Sequence, residues 1–375
     1  MTDRSEADSA EVGASTLDPA ESPVHDGASS PHSPVPKVLH RITAPAPVNR
    51  TPRERTPVEE GRRGVKLARI SKGPDKFFRG LSAGSGVLIV LLVIFVGVFL
   101  FALALPSLLQ NQANFLTSRE WVVSGAELRF GILGLLWTTV LSSVLAMAMA
   151  VPVAVGVALF ITQYLPRRAA GPFAFVVDLL AAVPSIIFGL WGIAVLAPML
   201  SPARDWISAH LGWIPLFAPG LQSTGTVFVA SVVLAIMILP IVTAISRDVF
   251  DQTPRDNMEA AFALGATRWE MIRTAVLPYG RSGVISASML GLGRALGETI
   301  AVMIILAQPS EGSAFSPSIF AGGETFASKI ANNAAEFDTP SKTGAYIASG
   351  LVLFVVTFAV NAIARIIAER GIAKS

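Results

Sequence analysis

Cysteine is absent from the 375 residues, which excludes disulfides, thiolate nucleophiles and cysteine-ligated metals. Histidine is almost as scarce. Only His25, His32, His40 and His210 occur, the first three in a stretch without hydrophobic periodicity. No two stand at i, i+4, so neither a catalytic metal site nor any other metal centre is expected. No paired catalytic groups stand out, and no enzyme activity is expected of this chain. The run G-x-x-x-x-G-K-[ST] is missing, so ATP is not bound through a P-loop. Charge is also short: 15% of residues are Asp, Glu, Lys or Arg, against about 25% in a soluble domain.

What replaces charge is apolar surface. The chain is 52% hydrophobic, with a mean hydropathy of +0.59. The surplus is uneven. Residues 1–80 are rich in Ser, Pro and charge, acidic at first (Asp3, Glu6, Asp8, Glu11) and then basic from Arg50 to Arg79. That composition predicts a disordered cytoplasmic tail without a cleavable leader, whose basic end lies near anionic lipid head groups.

Residues 81–375 predict an all-α polytopic membrane domain. Six apolar stretches run approximately Gly84–Leu105, Ile132–Ile161, Phe173–Leu200, Val227–Ile245, Gly283–Leu306 and Tyr346–Ile367. Each is long enough for a hydrocarbon core of about 30 Å, which takes roughly 20 helical residues. Pro152, Pro184 and Pro240 are candidate kinks. Arg167 and Arg168 follow the second stretch. Arg247, Arg255, Arg268, Arg273 and Arg281 lie between the fourth and fifth, and Arg365, Arg370 and Lys374 follow the sixth. Under the positive-inside rule both termini and these two loops are cytoplasmic, in a multi-pass plasma-membrane protein. On the other side, Ser201–Leu221 offers Trp206 and Trp213 to the membrane interface. The polar Gln308–Ser341 reads either as a surface for an extracytoplasmic partner or as an ordinary connection.

The loop at about 247–281 is built differently. Thr253 and Pro254 suggest a helix start, with the hydroxyl as cap. A short helix over Asn257–Leu264 ends at Gly265 in a left-handed conformation. A second helix, about Ala266–Leu277, is broken by Pro278 and Gly280. Two short amphipathic helices around a glycine make a knob that fits a groove on a soluble partner or lies flat on the membrane. Physics alone favours neither.

The same loop carries a family resemblance. Glu259, Ala260 and Ala261, three residues, then Gly265, and later Leu277 and Pro278, resemble the EAA motif of ABC-importer permeases. Ala275 stands where that pattern usually has isoleucine. The segments LGATRWEMIRTAVLPYGRSG, LGLGRALGET and DLLAAVPSIIFGLWG are similar to the permeases of the high-affinity phosphate importer, from about Phe77 onward. The resemblance implies the type I permease fold, with Glu259, Ala260, Ala261, Gly265, Leu277 and Pro278 in the helix that couples to a separate ATP-binding subunit. ATP and Mg would be used there, with no cofactor in this chain. It also implies a second, homologous permease subunit forming a heterodimer and an extracytoplasmic phosphate-binding protein, with no role for nucleic acid.

The candidate substrate path lies in the fifth stretch. Arg294 falls about 20 Å along the helix from Arg281, deep in the core. An arginine there costs about 3 kcal/mol on the insertion scale, so something must offset it. Glu298 follows at i+4, on the same face of a continuous helix. The pair reads either as a structural ion pair or as an anion site. In the second case the Arg fork matches phosphate oxygens, while Glu298 steadies it and accepts a hydrogen bond from a protonated phosphate oxygen that sulfate lacks. The resemblance likewise implicates an Arg and a Glu of this segment in phosphate movement. Thr299 and Asp178 are weaker candidates. The rival readings are a permease of the same fold for sulfate or molybdate, an ion-driven secondary carrier and a membrane-anchored signalling component.

Overall fold

The computed structural model describes residues 72–124, 127–220, 224–309 and 315–372, with side chains between residues 77 and 366. All of them belong to one compact unit, Ser71–Ser375. Most of the expected tail lies outside the described residues. Its last nine residues do not fit that expectation, because helix α1 (Lys72–Gln110) already begins at Lys72.

Five helices are long and apolar enough to cross a membrane, over Phe77–Gln110, Leu133–Tyr164, Ser185–Leu211, Val227–Asp251 and Pro340–Ile366. They correspond to α1, to α2 (Leu133–Leu159) with its π-helical end, to the α4–α5 segment described below, to α6 (Val227–Asp251), and to α12 (Pro340–Ile372). The remaining apolar stretch is divided. Of the six expected crossings, four are continuous among the described residues, the third is broken and displaced, and the fifth is divided. Among the described residues a two-stranded antiparallel pair, β1 (Trp121–Val122) with β2 (Arg129–Phe130), and an isolated bridge between Asn111 and Leu128 depart from an all-helical fold.

The third crossing also differs from expectation. Residues Arg167–Ala181 form a separate helix, α3, with none of its side chains fully buried. Pro184 disfavours helical backbone at the residue before it, so the chain breaks there instead of kinking. It restarts as α4 (Ser185–Trp191) and continues through a π-helical turn, Gly192–Leu196, into α5 (Ala197–Leu211). The crossing is thus displaced toward Leu211. By contrast, Pro152 and Pro240 are accommodated inside α2 and α6.

Helix α6 is the centre of the bundle, with Val233, Leu234, Ile238 and Val242 all at most 2% exposed. Helix α2 meets the same core through Ala146, Ala150 and Ala154, and the row continues at Ala158 beside Phe250 of α6, all four buried and four residues apart. That row of small side chains lets the two backbones approach, as membrane helices do when they lack a hydrophobic drive toward each other. The Thr243 hydroxyl donates across the contact to the Ala154 carbonyl at 3.4 Å. At the rim, α1 packs against α12 and leaves Leu88, Ile89, Leu91, Ile94 and Phe95 exposed, a surface suited to lipid.

The long connection before α12 is folded onto the bundle. The first two amides of α6, Val227 and Phe228, donate to the carbonyls of Ala321 (3.0 Å) and Ile319 (2.7 Å). Phe320 and Phe326 are buried beneath it. The Phe326 N–H, opening α11 (Phe326–Asn332), donates to the Thr139 hydroxyl of α2 at 3.2 Å. Backbone donors at a helix start need partners when water is excluded, and this segment supplies them for α6.

Candidate functional site

The knob stands at the other end of α6. Helix α7 (Arg255–Ala263) starts after Pro254, which is itself the cap residue. The Thr253 hydroxyl is buried without a hydrogen-bond partner and caps nothing, which corrects the expected helix start. Gly265 has φ +84°, the left-handed turn expected there. Next comes α8 (Arg268–Met271), opened by a capping box in which the Thr267 side chain and Glu270 satisfy each other's backbone N–H. Glu270 Oε2 accepts from the Thr267 N–H and hydroxyl, each at 2.8 Å. The backbone bond, then the hydroxyl, holds this carboxyl below its usual range.

Pro278 does not break the second helix. A π-helical turn, Ile272–Val276, carries α8 directly into α9 (Leu277–Leu296). Proline in a helix lacks an N–H and clashes with the carbonyl four residues back. The widened turn ends immediately before it, where the Leu277 N–H donates to the Ile272 carbonyl. The knob is therefore continuous with the fifth apolar stretch.

Met258, Ala261 and Leu277 are partly buried and pack onto Ala158, Leu159, Phe250, Met271, Ile272 and Val276. Arg268 also lies 5.5 Å over the ring of Tyr164, at the end of the second crossing. The opposite face presents Glu259, Ala260 and Pro278 to solvent, with Phe262, Trp269 and Leu264 47%, 57% and 90% exposed.

Within the fifth stretch, α9 ends at Leu296 with Gly297 as its cap, and α10 (Ile300–Ile305) begins after Thr299. Glycine costs about 1 kcal/mol in a helix interior relative to alanine, and Gly291, Gly293 and Gly297 cluster here. The break overturns the expected Arg294–Glu298 geometry, because i, i+4 places two residues on one face only if the helix continues. No salt bridge or side-chain hydrogen bond joins them. Glu298 is buried, and its Oε1 accepts from the Ala301 N–H at 3.4 Å, near the start of α10. The Thr299 hydroxyl donates to the Gly297 carbonyl at 3.2 Å.

Arg294 occupies the last turn of α9, where the unpaired carbonyls of a helix end favour a cation. Among the described residues it has no counter-ion. Its side chain is exposed and lines an open groove of about 670 Å³ together with Ser286, Gly293, the apolar Ile241, Met289 and Leu290, and Asn361 from α12. No carboxylate lines it. Apolar walls with a few convergent polar groups are the ordinary make-up of a small-molecule site. Asp178 lies elsewhere: its Oδ2 sits 3.5 Å from Arg247 Nη1, which ties α3 to the end of α6. Asn361 and Ile241 were not singled out from the sequence. The only trace of Asn361 is one amide in the apolar run FAVNAIA.

Among known families, residues 150–371 match the one described as binding-protein-dependent transport system inner membrane component. The chain belongs to that family: it is the membrane-embedded component of a transport system. It is 54% identical over 304 residues to phosphate transport system permease protein PstC 2 of Mycobacterium tuberculosis, covering 80% of this chain and 93% of that protein. To the PstC protein of Mycobacterium leprae it is 54% identical over 274 residues, 72% of this chain and 85% of that one. For the Mesorhizobium japonicum PstC protein the figures are 37% over 296 residues, 78% and 89%. Within the wider family the chain is therefore a member of the phosphate transport system permease proteins.

Proposed function

We propose that this chain is the permease subunit of an ATP-driven importer of inorganic phosphate, and that phosphate passes Arg294. The observation that carries the site is an arginine that, among the described residues, has no counter-ion, set at a helix break and lining an open groove without a carboxylate in its wall. Discontinuous helices at which the chain leaves helical geometry are a recurrent way of forming ion sites in transporters. A planar guanidinium suits two phosphate oxygens at once. Glu298 supports the site indirectly, through the shape of the break, rather than by holding the guanidinium.

The knob is the coupling element. The inner residues fix it to α2 and α6, and Phe262, Leu264 and Trp269 form the apolar face offered to an ATP-binding subunit, beside Glu259 and Ala260. Helix-in-groove docking fits that face, and the continuity of α8 with α9 gives a mechanical route from the knob to Arg294. ATP and Mg are used in the partner ATPase. A second, homologous permease completes the path, a phosphate-binding protein delivers substrate from outside, and both termini face the cytoplasm, as the arginine distribution suggests.

The test is uptake of labelled phosphate by proteoliposomes holding the two permeases and the ATPase, with binding protein added. ATP-dependent phosphate uptake that excess sulfate or molybdate fails to inhibit is the expected result. Uptake of sulfate or molybdate instead would replace the substrate, and uptake without ATP would favour the ion-driven carrier.

A further inference from the structure

Arg294 offers five N–H donors and no acceptor, so by itself it attracts any tetrahedral oxyanion. Inorganic phosphate keeps a proton at neutral pH, whereas sulfate has lost both of its own. A site that separates the two needs a hydrogen-bond acceptor beside the arginine. Glu298 does not fill that place: it is buried, spends Oε1 on the Ala301 amide and does not line the cavity.

The cavity wall leaves few alternatives. Apart from Arg294, its polar side chains are Ser286 and Asn361. The Ser286 hydroxyl donates back to the Ser282 carbonyl at 2.9 Å, so it has no hydrogen left for the anion's bare oxygens and meets an anion only as an acceptor, through its oxygen. Asn361 is half-buried and, among the described residues, has no hydrogen-bond partner. One turn earlier on the same helix, Thr357 is likewise closed on its own backbone, donating to Leu353 at 2.7 Å. A carboxamide set in an apolar helix and left unpaired is costly to desolvate. Asn361 also carries both kinds of group, two N–H donors and a carbonyl acceptor.

We propose that Asn361 is the specificity-determining residue of the Arg294 site: its Oδ1 accepts the hydrogen bond of the phosphate P–OH while its Nδ2 donates to an unprotonated oxygen. This inference rests on the reading of Arg294 as the phosphate contact. Two helices then share the anion, α9 supplying the charge and α12 the acceptor that senses the proton. The absence of a carboxylate from the cavity wall keeps the acceptor neutral, so it does not repel the anion.

The experiment is equilibrium binding of labelled inorganic phosphate to the purified complex of both permeases and the ATPase, without binding protein, with arsenate and sulfate as competitors. Arsenate is protonated like phosphate and serves as the matched control. In the wild-type complex arsenate should displace phosphate and sulfate should not. The near-isosteric Asn361→Leu should weaken phosphate binding by about tenfold or more, the scale of a hydrogen bond to a charged group, and bring sulfate and arsenate to similar potency. Asn361→Asp keeps the acceptor and adds repulsion. It should weaken all three anions while preserving the preference for arsenate over sulfate, which keeps the test open if the Leu variant fails to assemble. Wild-type affinity and undiminished exclusion of sulfate in Asn361→Leu, or a lost preference in Asn361→Asp, would overturn the proposal. A wild-type complex that hydrolyses ATP but binds no phosphate would instead overturn the reading of Arg294 beneath it.

Discussion

Removing the ammonium of Lys329 should destabilise the fold more than removing the whole ion pair to which it belongs. Lys329 Nζ lies 2.8 Å from Glu324 Oε2, with the two side chains only 14% and 10% exposed. Glu324 Oε1 is buried with no hydrogen-bond partner, so the lysine is this carboxylate's main compensation. Lys329 also lies 5.5 Å over the Trp121 ring. Breaking one side of a buried pair costs about 3–5 kcal/mol, whereas replacing both partners with apolar residues of similar volume is close to neutral. The residual exposure places Lys329→Met near the lower figure, about 3 kcal/mol. Glu324→Leu should cost somewhat less, because the stranded ammonium keeps the indole face, worth about 0.5–2 kcal/mol. The double variant should fall within about 1 kcal/mol of wild type. Denaturant unfolding of the detergent-solubilised chain, followed by near-ultraviolet circular dichroism, measures all four corners of the cycle. A double variant that costs the sum of the two singles would refute the reasoning, because it would mean that the groups do not interact.

Three further outcomes follow from the knob and the core. Alanine at Gly265 must adopt φ +84°, a left-handed conformation that costs about 1–2 kcal/mol, while nothing within 4 Å obstructs its Cβ. Gly265→Ala should therefore weaken co-purification with the ATPase and Gly265→Asn should largely restore it; equal behaviour of the two would argue against a backbone cause. Glu270 has its folded-state pKa lowered by Thr267, so its cap is fully present above the ordinary glutamate range, about 4.3, and is lost as pH falls through the lowered value. Hydrogen exchange at residues 267–271 should distinguish wild type from Glu270→Gln at neutral pH and not in acid, and a difference that persisted in acid would contradict the assignment. At Gly291 an added Cβ would meet Ile238 Cγ2 at 2.6 Å and Val242 Cγ2 at 3.0 Å, and such overpacking costs about 1–3 kcal/mol. Gly291→Ala should lower the thermal midpoint in detergent, and an unchanged midpoint would show that α9 can move away from α6.

Hydropathy made the class legible, because burying a helix in lipid demands a long apolar run whatever the tertiary fold. The left-handed Gly265 was legible for a similar local reason. The failures came at breakers, in both directions. Phe173–Leu200 reads as one run, yet Pro184 divides α3 from α4 and the crossing slides to Leu211. Arg294 and Glu298 share a face only on an unbroken helix, and Gly297 ends it. Pro278 reads as a stop, whereas a π-helical turn absorbs it. The cap of α8 was written in Thr267 and Glu270, a T-x-x-E pattern, while the hydroxyl expected to cap the first knob helix, Thr253, caps nothing. Asn361 was out of reach, because only the packing of α12 against α9 places it on the wall of the Arg294 cavity.

The central claim is that phosphate passes Arg294. It is tested most directly by ATP-dependent uptake of labelled phosphate in proteoliposomes of the complete transporter, comparing wild type with Arg294→Gln and checking assembly and ATP hydrolysis in both. Loss of uptake from an assembled variant that still hydrolyses ATP is the predicted result. Wild-type uptake by Arg294→Gln would contradict it and move the path away from this cavity.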